Sequence, residues 1–506
     1  VVVNGYVYFG IYGQDPFLLA NRINIFSDEA LSVELPNPLR TDEFGRLETQ
    51  PYSSVDFSYA VYLSDNATVV EGPVNRRLVA KANEVLASNV FGVCKTVADM
   101  TSASGPLLTN GQRLTAAMIA AAANTGGMVK ATWNNTTSRL GGADYEIKTL
   151  AQHRTDIGDG AWVPDGYGDH YLFGGTTYVA ILNSDVAFPE LFGAIGDGVA
   201  DDTGPTQAAI DYGVPVIYFP RKYLVSHVDL KSGLTIRGPG EIIQKETDEV
   251  CVRALECINV RIKEITFTGT GEPGDHLVEL IDSEDIDISS CWFRKSPRMG
   301  VQATNCVNVS VDVSQFNNNY YFGVQMTECV NSSITRSYFR ENGDTGTHQS
   351  ESTTGSPGGR GAVFWCCEEC LTSSCFFIEN TEYGLRWYSE SSSARINKRL
   401  IADNCFFQDN GKSDFPISNT SLSPYKIQDC TVTNIKILRT TIGEFFTYAM
   451  AVQGENMMVD NVTILNNSGT KALMLGVYSS KNTKISHFTT NNTTYIDKIN
   501  TTDLVL

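Results

Sequence analysis

The feature that most constrains this chain is an echo at a spacing of 23 residues in its second half. Phe293, Phe316 and Phe339 recur at that interval, and Gly300-Val301 and Gly323-Val324 repeat it. Gly361-Ala362 and Gly384-Leu385 are again 23 apart. From Phe339 to Phe377 the step is 38, one period plus 15, and Phe407 follows later. The surplus falls in the polar, glycine-rich segment DTGTHQSESTTGSPGGR, residues 344–360, which reads as a loop. A fixed period of this size marks stacked structural units, none of which can bury its apolar face alone. Later units at DCTVTNIKIL, ENMMVDNVTIL and SKNTKISHF carry the pattern to about Phe488. About ten coils are predicted, with parallel strands stacked about 4.8 Å apart.

The twelve cysteines obey the same register. Cys306, Cys329 and Cys367 share one position; Cys291, Cys375 and Cys405 share another, with Ser314 and Ser337 between. Small residues stacked inside a coil explain this spacing better than disulfides or metal. Cys366, Cys367 and Cys370 form a CCxxC cluster, but structural zinc wants about four ligands and no fourth is near.

Aligning the units turns sequence into neighbourhood. Ala303, Met326, Phe364 and Trp387 share one strand position, apolar throughout, and should face inward. Side chains alternate along a strand, so Thr304, Thr327, Trp365 and Tyr388 should face outward. Arg386, two residues before Tyr388, belongs to the same face. Exposed aromatics on a rigid sheet suit stacking against sugar rings, which makes Trp365, Arg386 and Tyr388 the candidate binding residues. The bland alternative is that the 344–360 loop or a second subunit covers them.

Two residues after each repeating phenylalanine stand Lys295, Asn318, Glu341, Glu379 and Asp409. Asn342, Asn380 and Asn410 follow the three acids and should form an internal hydrogen-bonded ladder. The carboxylates then point outward on consecutive coils, about 5 Å apart. Repulsion in such a column favours a protonated acid beside an ionised base, which glycosidic hydrolysis requires. Neighbouring coils approach the retaining separation of about 5–5.5 Å, and alternate coils approach the inverting range of about 6.5–9.5 Å. Glu341, Glu379 and Asp409 are therefore the candidate catalytic residues, with Glu382, Asp344 and Glu351 as nearby substitutes. The alternative is an acidic, solvated edge.

With 42% hydrophobic and 19% charged residues, the chain can bury large cores. A net charge of -19 repels polyphosphate, so nucleic acid is not an expected partner. No run of eighteen apolar residues is present, so no membrane insertion is expected. The opening VVVNGYVYFG reads as a strand rather than a secretory leader, which places synthesis in a reducing compartment. Strands are predicted at Tyr6–Tyr12, Ile23–Phe26 and Phe57–Leu63. Residues 75–90 carry a helical apolar stripe of Leu78, Val79, Ala82, Val85, Leu86 and Val90, which needs partners in an oligomer. Residues 92–185 form a Gly- and Tyr-rich module whose Asp165, Asp169 and His170 read as turn residues.

Two segments carry a family resemblance. NGYVYFG, NRINIFSDEA, FGRLETQPY and SDNATVVEG resemble the head-binding domain of bacteriophage tailspikes. LFGAIGDGVADDTGPTQAAIDYG, then VPVIYFPRKYLVS and LKSGLTIRGPG, resembles the start of a pectate-lyase-like right-handed parallel β-helix. It departs from that pattern at Pro205 and at Arg221 and Lys222. Asp202 and Thr203 there can cap a helix through Asp211 that covers the open end of the solenoid, so Asp197, Asp201 and Asp202 read as structural.

The resemblance implies an all-β fold with four parts: a virion-binding β domain at residues 1–72, a helical neck at 73–91, a connecting module at 92–185 and the β-helix at 186–506. It also implies a homotrimeric virion tail protein, made in the host cytoplasm and acting outside it. Residues 1–72 would join it to the phage baseplate or to other spike proteins. Its partner would be a bacterial surface polysaccharide, O-antigen or capsule. Three activities compete: an endo-glycosidase, a lyase and a non-catalytic adhesin. The lyase would need a uronate and Arg386 as base, with calcium able to bridge the acids. The glycosidase needs neither cofactor nor metal.

Overall fold

The computed structural model describes residues 6–11, 18–27, 32–40, 47, 57–62, 69–76, 90–133, 143–164, 166, 168–173, 177–343, 359–389, 395–419, 427–440, 448–467, 475–491 and 496–499. They fall into two compact units, residues 1–135 with 142–183, and the remainder.

Among the described residues the first unit holds two larger sheets and a two-stranded one, Ile25–Phe26 with Glu34–Leu35. In one, Leu39–Arg40, Tyr6–Ile11, Phe57–Tyr62 and Val69–Arg76 lie side by side, all antiparallel, with Val7, Phe9, Ile25 and Leu39 packed together. Its last strand carries Asn75 and Arg76 opposite Ser58 and Phe57, where the sequence predicts a helix to begin. Ladder pairing outweighs a short stripe, because isolated helices of that length are marginal. Val90 likewise opens the strand Val90–Thr96, and the rest of the predicted neck, 77–89, lies outside the described residues. In the second sheet the order is Asp169–Tyr171, Tyr178–Leu182, Ala143–Thr149, Met128–Trp133 and Val90–Thr96. Asp169 and His170 are buried in its edge strand, and Asp165 lies outside the described residues.

The second unit is a right-handed parallel β-helix. From Val186 onward every strand pair is parallel, each coil hydrogen-bonding to the next. One coil shows the rule: Phe322–Thr327, then Ser333–Thr335, then Tyr338–Arg340, giving three walls. The first wall belongs to an 11-stranded sheet. The coil bends at single left-handed residues, Glu328, Asn331, Arg336 and Glu341, with φ of 54°, 51°, 48° and 53°. After each bend the next residue, Cys329, Ser332, Ser337 or Asn342, is buried. This corner geometry is the physical origin of the cysteine register. The described thiols are buried and form no disulfide; Cys367 Sγ donates to the Met326 carbonyl at 3.3 Å, and burial pushes Cys291 up to about 12.

The core is a column of stacked rings. Phe267, Phe293, Phe316, Phe339, Phe377 and Phe407 follow one another at centroid separations of 4.8–5.0 Å. The repeating glycines make room for it. A Cβ on Gly323 would stand 2.6 Å from Phe339 Cδ1 and 2.7 Å from the Gly361 carbonyl oxygen. Gly323→Ala should therefore cost about 1–3 kcal/mol through overpacking. Urea unfolding of the variant measures this, and an unchanged midpoint would mean the column yields.

The cover of the first coil differs in one detail from the sequence reading. The helix Thr203–Asp211 is present, but the buried Asp202 does not cap it. Its carboxylate accepts the Ile195 and Gly196 amides at 2.7 and 3.0 Å, while Asp201 accepts the Thr203 amide at 3.0 Å. Asp197 accepts two amides of its own turn, at 2.8 Å each. The preceding turn offers Asp202 two donors in line, and they outcompete the helix. All three acids hold backbone.

Candidate functional site

Glu341, Glu379 and Asp409 occupy one corner column with Lys295 and Asn318, all left-handed, with φ between 50° and 56°. The backbone bend sets the position of the column; a left-handed corner suits Asn318 and Asp409, but it does not call for the long side chains of Lys295, Glu341 and Glu379. Beneath it runs the asparagine ladder. Asn319, Asn342 and Asn380 each donate through Nδ2 to the next asparagine's Oδ1 at 2.8–2.9 Å, ending with Asn410 on Asp414 at 2.7 Å.

The column is not a bare stack of negative charge. Arg340 Nη2 reaches Glu341 Oε1 at 2.9 Å and Glu379 Oε2 at 3.1 Å, so one guanidinium bridges two coils. Asn318 Nδ2 donates to Glu341 at 3.0 Å, and Asp409 accepts the Thr440 amide at 2.7 Å and the Thr440 hydroxyl. Glu341 and Glu379 keep 39% and 44% of their side chains exposed, enough for a ligand to reach them. Of the substitutes, Glu382 is buried between Arg360 at 3.0 Å and Lys412 at 2.6 Å. Asp344 and Glu351 lie outside the described residues. Among the described residues no group of three His, Cys, Asp or Glu side chains is placed to hold a metal ion.

The outer face of the 11-stranded sheet carries two rows. Trp365 pairs in register with Thr327 and Tyr388, and the Trp365 and Tyr388 rings meet edge to face at 5.2 Å. The neighbouring row runs Asp229, Arg253, Glu279, Gln302, Gln325, Val363 and Arg386. The inward set is where the alignment places it: Ala303, Met326, Phe364 and Trp387 are buried. The acids and the aromatic pair share coils but flank opposite edges of the wall. A six-residue strand such as Arg360–Trp365 separates them by about 17 Å. Arg360, Tyr383 and Arg386 lie between.

One carboxyl escaped the sequence reading. Glu279 is half-buried on this face, and burial, then the nearby Asp275 charge, pushes it above the usual carboxylate range. Beside it His276 Nε2 lies 3.3 Å from Asp275, and burial holds that imidazole below its ordinary value. The signal was available: residues 279, 302 and 325 are also 23 apart.

The fold and this face define a class of protein, the right-handed parallel β-helices. Residues 260–468 match the sequence profile of the family described as right handed beta helix region. Among solved structures, the chain is similar to the enzymatically active domain of tailspike protein 2 from bacteriophage CBA120. Identity is 15% over 74% of this chain and 52% of that one, with a TM-score of 0.50. It is also similar to a full-length tailspike protein 2 from an Escherichia coli bacteriophage, at 14% identity over 92% and 56%, TM-score 0.52. The chain thus spans about half the length of these two proteins, and the likeness is one of fold. No curated protein matches it in sequence. Among the described residues no helix is long and apolar enough to cross a membrane.

Proposed function

We propose that the chain is a phage tail spike that binds a bacterial surface polysaccharide on the outer face of the 11-stranded sheet and hydrolyses it within the chain. The observation that carries this reading is the Trp365–Tyr388 pair on rigid neighbouring strands, with an acid column along the opposite edge of the same wall. The fold shared with phage tailspikes supports it. In this reading residues 1–72 attach the spike to the virion, residues 92–185 connect, and three copies assemble. Sedimentation at the mass of a single chain would remove the trimer.

Hydrolysis is preferred to elimination for a reason of charge. Burial and the neighbouring Arg360 lower Arg386 to about 10, which leaves it protonated near neutral pH and a poor base. Glu341 and Glu379, or either with Asp409, supply the acid and the base. A second placement has one observation in its favour: Glu279, pushed up by burial, suits a general acid on the same face.

Incubating the full chain with purified host polysaccharide tests the reading. New reducing ends without ultraviolet absorbance are expected. Absorbance from a new double bond would make it a lyase, and binding without cleavage an adhesin. Neither binding nor cleavage on the polysaccharide of a sensitive host would defeat the proposal.

A further inference from the structure

We propose that Arg386 is the receptor for a sugar carboxylate, so that the polysaccharide bound here is acidic. The inference rests on the polysaccharide-binding reading and narrows its substrate.

Among the described residues Arg386 makes no ion pair of its own on this face, and the Glu382 carboxylate acts on it only from a distance. Its neighbours are satisfied: Arg360 pairs with Glu382 at 3.0 Å, Lys412 takes the other oxygen of Glu382 at 2.6 Å, and Arg340 bridges Glu341 and Glu379. The Arg386 guanidinium lies against two rings instead, 4.3 Å from the Tyr388 centroid and 5.1 Å from that of Tyr383. Its Nε is buried and meets no acceptor among the described residues. Ring faces stabilise a guanidinium but accept none of its in-plane hydrogen bonds, and with Nε buried a planar, bidentate acceptor would meet the two terminal nitrogens. Leaving a desolvated charge unpaired is costly, and such costs collect at binding sites. Trp365 stands beside Tyr388, so a sugar ring stacked there would hold a carboxylate within reach of Arg386. The chain as a whole, at -19, repels anionic glycans. A half-buried cation on the binding face answers that repulsion locally and would select acidic glycans against its background.

The test uses the full chain and a panel of uronate-containing capsular polysaccharides, each native and carboxyl-reduced, with a phosphate-bearing teichoic polymer and neutral dextran. At least one native uronic glycan should bind, and carboxyl reduction should weaken it about 10- to 100-fold, as expected for a charged hydrogen-bonded contact. Arg386→Met should lose the same factor on the native glycan and nothing on the reduced one. Its melting temperature should stay level or rise, because an unpaired charge is removed while volume is kept. Equal binding of native and reduced forms, preference for the phosphate polymer or dextran, or a melting temperature that falls steeply would each overturn the carboxylate receptor while leaving polysaccharide binding intact. Binding to none of the panel, in a chain that also ignores the polysaccharide of a sensitive host, would remove both.

Discussion

Replacing Glu341, Glu379 and Asp409 one at a time by their amides is expected to lower glycan cleavage about 10²–10⁴-fold at the two positions that exchange the proton. The remaining position should change little. Folding should not be at stake: Glu341 and Glu379 are 39% and 44% exposed, and surface ion pairs contribute about 0–1 kcal/mol. Reducing-end release at saturating polysaccharide, with melting curves for each variant, separates the two effects. Glu279→Gln belongs in the same series. If the three column variants keep full activity and Glu279→Gln loses it, the reacting bond sits on the sheet face rather than at the corner. If all four keep it, the acids are elsewhere. Trp365→Ala should weaken binding whichever acids act, because the aromatic row serves the sugar and not the proton.

The repeat was legible because a solenoid writes its contacts at a fixed interval. Counting from Gly300 and Gly323 placed Trp387 inside and Trp365 outside, and the Phe293–Phe316–Phe339 column followed from the same count. What the count could not show is backbone conformation. Glu341, Glu379 and Asp409 share a left-handed corner, so the backbone accounts for their alignment but not for the choice of glutamate at two of the three. Side-chain reach was also hidden. Arg340 precedes Glu341 in sequence, yet its second partner, Glu379, lies one coil and an insertion away. Glu279 was missed for a simpler reason: the count stopped at the first repeating glycine, one coil too late. At the predicted neck, Asn75, Arg76 and Val90 lie in strands, while the stripe from Leu78 to Leu86 lies outside the described residues.

The asparagine ladder ends in a buried ion pair, and breaking that pair should have the largest effect on stability. Asp414 and Arg439 are both buried, with Arg439 Nη2 2.6 Å from the Asp414 carboxylate. Asp414 also accepts Asn410 Nδ2 at 2.7 Å, while Arg439 Nη1 donates to the Asn410 carbonyl at 2.7 Å. Together they close the hydrogen bonds under the corner that carries Asp409. Arg439→Met leaves a carboxylate buried without its counter-charge, at an expected cost of about 3–5 kcal/mol. Burial already raises Asp414, and Arg439 opposes that rise. Without Arg439 the folded-state value moves higher still, away from an unfolded value of about 4. A carboxyl raised in the folded state penalises folding above its unfolded pKa, and the penalty fades as the pH falls through the folded one. The variant's deficit against the parent should therefore shrink between neutral pH and about pH 5, the reverse of ordinary acid loss. Adding Asp414→Asn keeps an acceptor for Asn410 and removes the orphaned charge, so the double variant should recover most of the loss at pH 7. Urea midpoints of the four proteins at two pH values decide it. A double variant no better than Arg439→Met would mean that packing of the guanidinium, and not its charge, holds the end of the ladder.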